Sequence, residues 1–170
     1  MSYYFSICAS EYYQQKYVEF LLGNYEHLQL PYAFPVALSY IVSPILMTHE
    51  SFLCFNDDDD VVGAFGCIYG TGEKEYEDTE IVQIQVIFLA EPYRGTLLFA
   101  RALHFFTEYL EQLDREVKEL RFWATAEPSF QKLFVKVAAR TATAHTEHGM
   151  LDEYRCSPSD LLAYAGRMRQ

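Results

Sequence analysis

The stretch Phe88–Phe106, "FLAEPYRGTLLFARALHFF", holds residue types and a spacing that could do chemistry. An apolar run ends at Glu91-Pro92, and Tyr93-Arg94-Gly95 then leads into helical spacing. The first amides of a helix have no internal acceptors, and the helix dipole there favours an anion. Gly95 permits a sharp turn and a close approach of phosphate to the backbone, and Arg94 adds a permanent positive charge. The junction is a candidate anion site, most naturally for a pyrophosphate. The alternative is an ordinary strand-to-helix turn with a surface arginine.

The remaining reactive types point to less. Asp57 to Asp60 are consecutive, so their carboxylates diverge, and a solvated turn explains them better than a metal site. His145 and His148 stand three apart in a β-prone segment and would face opposite sides, which suits surface positions rather than shared ligation. No metal is expected. Cys8, Cys54, Cys67 and Cys156 form no C-x-x-C pair and lie in or near apolar segments, as reduced buried thiols do. Cys67 has no histidine or cation beside it to lower its pKa, so a thiol nucleophile is not expected.

These residues need elements to hold them. "YYFSICAS" predicts a first strand, and Ser10 can cap the helix after it by accepting a free amide. Tyr13, Tyr17, Phe20, Leu21 and Tyr25 recur at helical spacing, and residues 31–47 predict a second helical stretch broken by Pro31, Pro35 and Pro44. Two β-prone runs around Asn56–Asp60 predict a hairpin. The charged loop "GTGEKEYEDTE" leads to a central strand, Ile81 to Ala90, apolar nearly throughout. Leu98, Ala102, Phe106, Tyr109 and Leu113 mark the buried stripe of a helix from Gly95 to about Leu113. "VKELRFWATA" predicts a strand and Glu127 to about Val137 a helix. Two strands meet around His148-Gly149, and a helix from Ser157 to Arg169 follows. This order implies βα units on one mixed sheet in a single α/β domain, residues 1–170.

Composition narrows the function classes. The chain is 51% hydrophobic, with 14 Tyr and 13 Phe, which excludes a disordered composition. A net charge of -11 argues against non-specific nucleic-acid binding and is compatible with a cationic substrate or partner. "MSYYFSICASEYYQQK" lacks the basic region and apolar core of a signal peptide. "LPYAFPVALSYIVSPILM" carries three prolines and suits a buried segment better than a membrane span. A cytoplasmic protein with no membrane partner is expected.

"LAEPYRGTLLFARAL" resembles motif A of the GNAT-type N-acetyltransferases, a V-x-P-x-Y-R-G-x-G-x-G-like stretch joining the family's fourth strand to its third helix. "EPSFQKLFVKVAAR" is similar to the segment that follows the fifth strand, with Leu133-Phe134-x-Lys136 matching its rhythm. The resemblance extends in element order over nearly the whole chain. It implies a mixed central sheet flanked by helices, with strand 4 splayed from strand 5, and acetyl-CoA as acyl donor to a small-molecule or protein amine. A homodimer is compatible with it. By position, it also implies a pantetheine edge at Ile87, Phe88 and Leu89. The pyrophosphate loop would be Arg94, Gly95, Thr96, Leu97, Leu98, Phe99 and Ala100, acting mainly through main-chain amides.

The sequence departs from that pattern at named positions. Leu97 and Phe99 stand where the family has small residues. The usual strand-4 glutamate position falls on Gln83 and the usual tyrosine position on Phe134, so neither supplies the ordinary base or acid. Gln83 is nevertheless a candidate for orienting the acceptor, together with Gln85 on the same strand face. Glu80, near the start of that strand, and Tyr69 and Tyr154 on neighbouring strands are the other candidate catalytic groups. The backbone near Phe88 and Leu89 would polarise the thioester carbonyl. A non-catalytic acyl-CoA-binding or interaction module is the alternative.

Overall fold

The computed structural model describes residues 2–47, 50–90, 97–113 and 115–168. Its strands are Tyr4–Ile7 (β1), Ser51–Phe55 (β2), Val61–Tyr69 (β3), Ile81–Leu89 (β4), Glu119–Thr125 (β5), Ala139–Thr146 (β6) and Gly149–Cys156 (β7). Its helices are Glu11–Gly23 (α1), Tyr25–Leu28 (α2), Phe34–Leu46 (α3), Leu97–Gln112 (α4), Pro128–Phe134 (α5) and Pro158–Met168 (α6). The strands form one seven-stranded sheet in the order β1-β2-β3-β4-β5-β7-β6. All neighbours are antiparallel except β4 and β5, which are parallel and joined through α4.

Local sequence explains the elements. Ser10 Oγ accepts the Tyr13 amide at 3.3 Å and opens α1, whose Tyr17 and Leu21, four apart, are fully buried. The hairpin turn is organised by Asn56, whose Oδ1 accepts the amides of Asp58 and Asp60 at 2.9 and 3.0 Å. Its aspartates fasten the N-terminus: Asp57 accepts from the Ser2 amide at 3.0 Å, and Asp59 from the Tyr4 hydroxyl at 2.7 Å. The expected break of residues 31–47 at their prolines does not occur within α3. Pro35 lies in its first turn, where a missing amide costs nothing, and Pro44 stays inside the helix. Pro44 leaves the Tyr40 carbonyl without its helical donor, and Ser43 Oγ donates to that oxygen at 3.5 Å.

Helices cover the sheet unequally. Tyr17 and Leu21 of α1 and Ile41 of α3 pack with Leu53, Phe55, Ala64, Val86 and Phe88 on one face. Ala102, Phe106 and Leu110 of α4 and Leu161 and Tyr164 of α6 pack with Phe52, Phe65, Cys67, Val82 and Leu120 on the other. The α1/α3 contact is close because Gly66 has no side chain. A Cβ there would meet the Tyr17 hydroxyl and lie 2.7 Å from Pro44 Cγ. All four cysteines are buried and free. Burial raises the thiol of Cys8 to about 11 and those of Cys54 and Cys156 to about 12, and it raises Cys67 too, so none is poised as a nucleophile. Among the described residues no helix is long and apolar enough to cross a membrane, and no group of three or more His, Cys, Asp or Glu could hold a metal ion.

Candidate active site

Two irregularities in β4 build the site. The first is its parting from β5. Register pairs run only from Ile81↔Glu119 through Val82↔Leu120 to Gln83↔Arg121, while β4 continues to Leu89 and β5 to Thr125. Among the described residues, the β5-facing edge of β4 therefore has no neighbouring strand beyond Gln83. The second is a bulge. Gly66 pairs with Val86 and Cys67 with Ile84, so Gln85 has no partner on β3.

The bulge switches the faces of the strand. Val82 and Ile84 pack toward α4, whereas Val86 and Phe88 pack toward α1 and α3. Gln83 lies opposite Val82 and Ile84 by alternation, and Gln85 reaches α3 directly. The two glutamines thus share the α3 face at the point where the strands part. Gln83 Nε2 donates to the Gly70 carbonyl at 2.7 Å, and Gln85 Nε2 donates to Ser43 Oγ at 3.1 Å.

Farther along, Ala90 donates to the Val62 carbonyl at 2.8 Å. Antiparallel alternation then directs the main chain of Phe88 toward β3 and that of Ile87 and Leu89 toward the opened edge. The Ile87 side chain is 40% exposed, and Phe88 and Leu89 are buried. The Phe88 main chain runs in the ladder with β3 opposite Ala64, and its ring packs near Phe20 at 5.8 Å. Leu97, Leu98, Phe99 and Ala100 form the first turn of α4, with Leu98 buried against Val62 and Leu89. Arg94, Gly95 and Thr96 lie outside the described residues.

The other candidates sit apart. Glu80 is half-buried at the opposite end of β4 from α4, in an open hollow shared with Asp78 and Arg121. Tyr69 donates to Glu50 at 3.3 Å and stacks under Arg115 at 4.1 Å, on the α4 side. Tyr154 is fully buried, and its hydroxyl reaches no hydrogen-bond partner among the described residues. Its ring stacks on Phe122 of β5 at 5.3 Å and touches Phe134 of α5 at 5.2 Å. Burial first, and then the charge of Asp152, raises its hydroxyl above the ordinary tyrosine value, so it stays protonated at neutral pH. The structure brings Gln83 and Gln85 together, and places Tyr154 against the position that resembles the family's tyrosine. Sequence reasoning missed Ser43; a serine just before an in-helix proline is the signal that could have found it.

No family model matches the sequence, and neither does any curated protein. Solved structures do. A GNAT-family acetyltransferase from Staphylococcus aureus superposes with a TM-score of 0.64 at 13% identity, over 91% of this chain and 99% of its own. A spermidine N-acetyltransferase from Vibrio cholerae, in complex with CoA and spermine, gives 0.60 at 14% identity, over 93% and 98%. The catalytic domain of a Tetrahymena histone acetyltransferase in complex with coenzyme A gives 0.60 at 11% identity, over 93% and 95%. The chain has the GNAT acetyltransferase fold. The mixed seven-stranded sheet, with β4 parallel to β5 and helices on both faces, is the expected GNAT architecture. At these identities the likeness concerns the GNAT fold.

Proposed function

We propose that this chain is an N-acetyltransferase that moves an acetyl group from acetyl-CoA to an amine by direct attack of the neutral amine on the thioester. The observation that carries this reading is the parting of β4 from β5 after Gln83. An opened strand edge offers main-chain donors and acceptors to an extended ligand carrying amides, which is what a pantetheine arm is. Ile87 and Leu89 direct their main chain there, so the residues present fit such an arm. Bound, acetyl-CoA would supply the activated acyl group, and Arg94 to Ala100 would hold its pyrophosphate through helix-start amides.

The chain's own residues would then do three things. Gln83, with Gln85, orients the amine; neither can take its proton, which passes to water or to Glu80 through water. Main-chain amides of β4 near Phe88 and Leu89 would polarise the thioester carbonyl as charge develops on its oxygen. Tyr154, held protonated in its aromatic surroundings, gives the proton to the departing sulfur in place of the hydroxyl that Phe134 lacks.

A melting experiment with acetyl-CoA, followed by thioester turnover over a panel of amines, tests the reading. Binding to the folded state at a hundredfold excess over Kd adds about 2.7 kcal/mol, a clear upward shift. No shift at millimolar acetyl-CoA would refute it. A shift without turnover on any amine would favour the second reading, a non-catalytic acyl-CoA-binding module, which the pair Gln83 and Phe134 supports.

A further inference from the structure

Helix α3 and strand β4 meet at a place without charge. Along Phe34–Leu46 the only ionisable side chain is Tyr40, and along Ile81–Leu89 there is none. Between them runs a chain of hydrogen bonds that begins with a proline. Pro44 frees the Tyr40 carbonyl, Ser43 Oγ donates to it, and Gln85 Nε2 donates to Ser43 Oγ. The Gln85 amide lies with its nitrogen toward α3, on the Ser43 oxygen, whose hydroxyl faces the Tyr40 carbonyl. Gln83 is fixed with its nitrogen toward Gly70, since the Gly70 carbonyl can only accept. Both amide oxygens are thereby left to accept from another donor, on one face, beside the opened edge.

We propose that Gln83 and Gln85 are positioning residues that hold the acceptor nitrogen through their amide oxygens and select amines that are uncharged at the working pH. The proposal rests on the acetyl-transfer reading. An amide oxygen accepts an N–H bond from a neutral amine but neither neutralises an ammonium nor removes its proton. The charged groups around the cradle are paired or lie in the neighbouring hollow. Arg121 of β5 pairs with Gln83 in register, and its Nε is bound to Glu119 at 2.6 Å, so its charge is met on its own strand. On β7, Arg155 and Glu153 are joined to each other at 2.7 Å. The carboxylates of the charged loop, Glu73, Glu77, Asp78 and Glu80, line the hollow that Arg121 and Lys74 share, and Asp78 is held by Thr71 at 2.7 Å. The two amide oxygens themselves offer an ammonium no counter-charge where the nitrogen must sit.

Basicity then decides the substrate class. At pH 7 an α-amino group of pKa near 7.7 is neutral in roughly one molecule in six, whereas a lysine-type amine of pKa near 10.4 is neutral in about one in 2,500. The test compares alanine amide with Nα-acetyl-lysine amide as acceptors, with acetyl-CoA as donor. The parent protein should favour alanine amide in kcat/KM by on the order of 100-fold at pH 7, and the ratio should shrink as pH rises toward 10. Gln85→Leu should raise the KM for alanine amide about tenfold or more while acetyl-CoA binding is unchanged, and Ser43→Ala should raise it severalfold, both with parental circular dichroism. Gln85→Glu should move the acidic limb of the lysine-amide profile to lower pH.

Equal or better use of the lysine amide by the parent at pH 7 would overturn the selectivity. Parental amine KM in folded Gln85→Leu and Ser43→Ala, alongside active parent protein, would overturn the cradle while leaving acetyl transfer standing. Loss of acetyl-CoA binding in the parent itself would instead remove the acetyl-transfer reading, and the cradle with it.

Discussion

A buried hydroxyl without a partner separates function from stability at single residues. Leaving such a group unsatisfied costs about 1–3 kcal/mol, so removing it should not harm the fold. Tyr154→Phe is therefore expected to melt at or above the parental temperature, while kcat falls about tenfold or more with little change in KM for acetyl-CoA. Parental turnover in this variant would assign Tyr154 to packing alone. Gly66 makes the opposite case. Its missing side chain lets Tyr17 and Pro44 reach β3, so Gly66→Ala should lower stability by about 1–3 kcal/mol, read by urea titration. At this scale the sequence was partly legible. Gln83, Gln85 and Tyr154 could be singled out by type, whereas Ser43 showed only as a serine just before an in-helix proline, its role depending on the Tyr40 carbonyl that Pro44 releases four residues earlier.

Among the elements, α1 carries its own start signal. Ser10→Ala removes the acceptor for the Tyr13 amide and should cost about 1 kcal/mol, measured as a shift in denaturation midpoint. Element order and both hairpins could be read from periodicity and turn residues because those signals are local. The behaviour of β4 could not. Val82, Ile84, Val86 and Phe88 alternate without a break in sequence, as if on one face, yet they serve two cores on opposite faces. An alternation of two hides a bulge whose extra residue is polar and whose neighbours are all apolar. The prolines of residues 31–47 misled for a related reason: proline's cost is set by where in a helix it falls, and Pro44 is offset by Ser43 and by burial against Gly66.

For the whole molecule, the acidic balance and the buried carboxylate Asp152 pull in different directions as pH falls. Burial alone would raise the Asp152 carboxyl. Hydrogen bonds from Gln131 at 2.9 Å and Thr143 at 2.8 Å, with the charge of Arg140, hold it below the usual value instead. A depressed folded pKa means a contribution to stability that is present above the unfolded value, about 3.9, and is lost as pH falls through the folded one. Near the sequence pI of 4.8 the repulsion from -11 net charge is relieved while Asp152 is still ionised. Melting temperature should therefore hold or rise from pH 7 to about 5 and drop below about 4. Asp152→Asn should lower stability at pH 7 by about 1–3 kcal/mol and flatten the acid limb. It should leave the plateau between pH 5 and 7 in place.

In genetic terms, the bulge is a single codon that the sheet can spare. Removing Gln85 brings Val86 directly after Ile84, so strict alternation would still send Ile84 toward α4 and Val86 and Phe88 toward α1 and α3. An in-frame deletion, usually the most disruptive change a central strand can suffer, should here yield a folded protein with a regular β3–β4 ladder. The same deletion should cost most of the amine turnover. Proteolysis and circular dichroism would score the first outcome and acetyl transfer the second. A fold that survives this loss could gain or shed an acceptor-binding group in one mutational step without repacking either core.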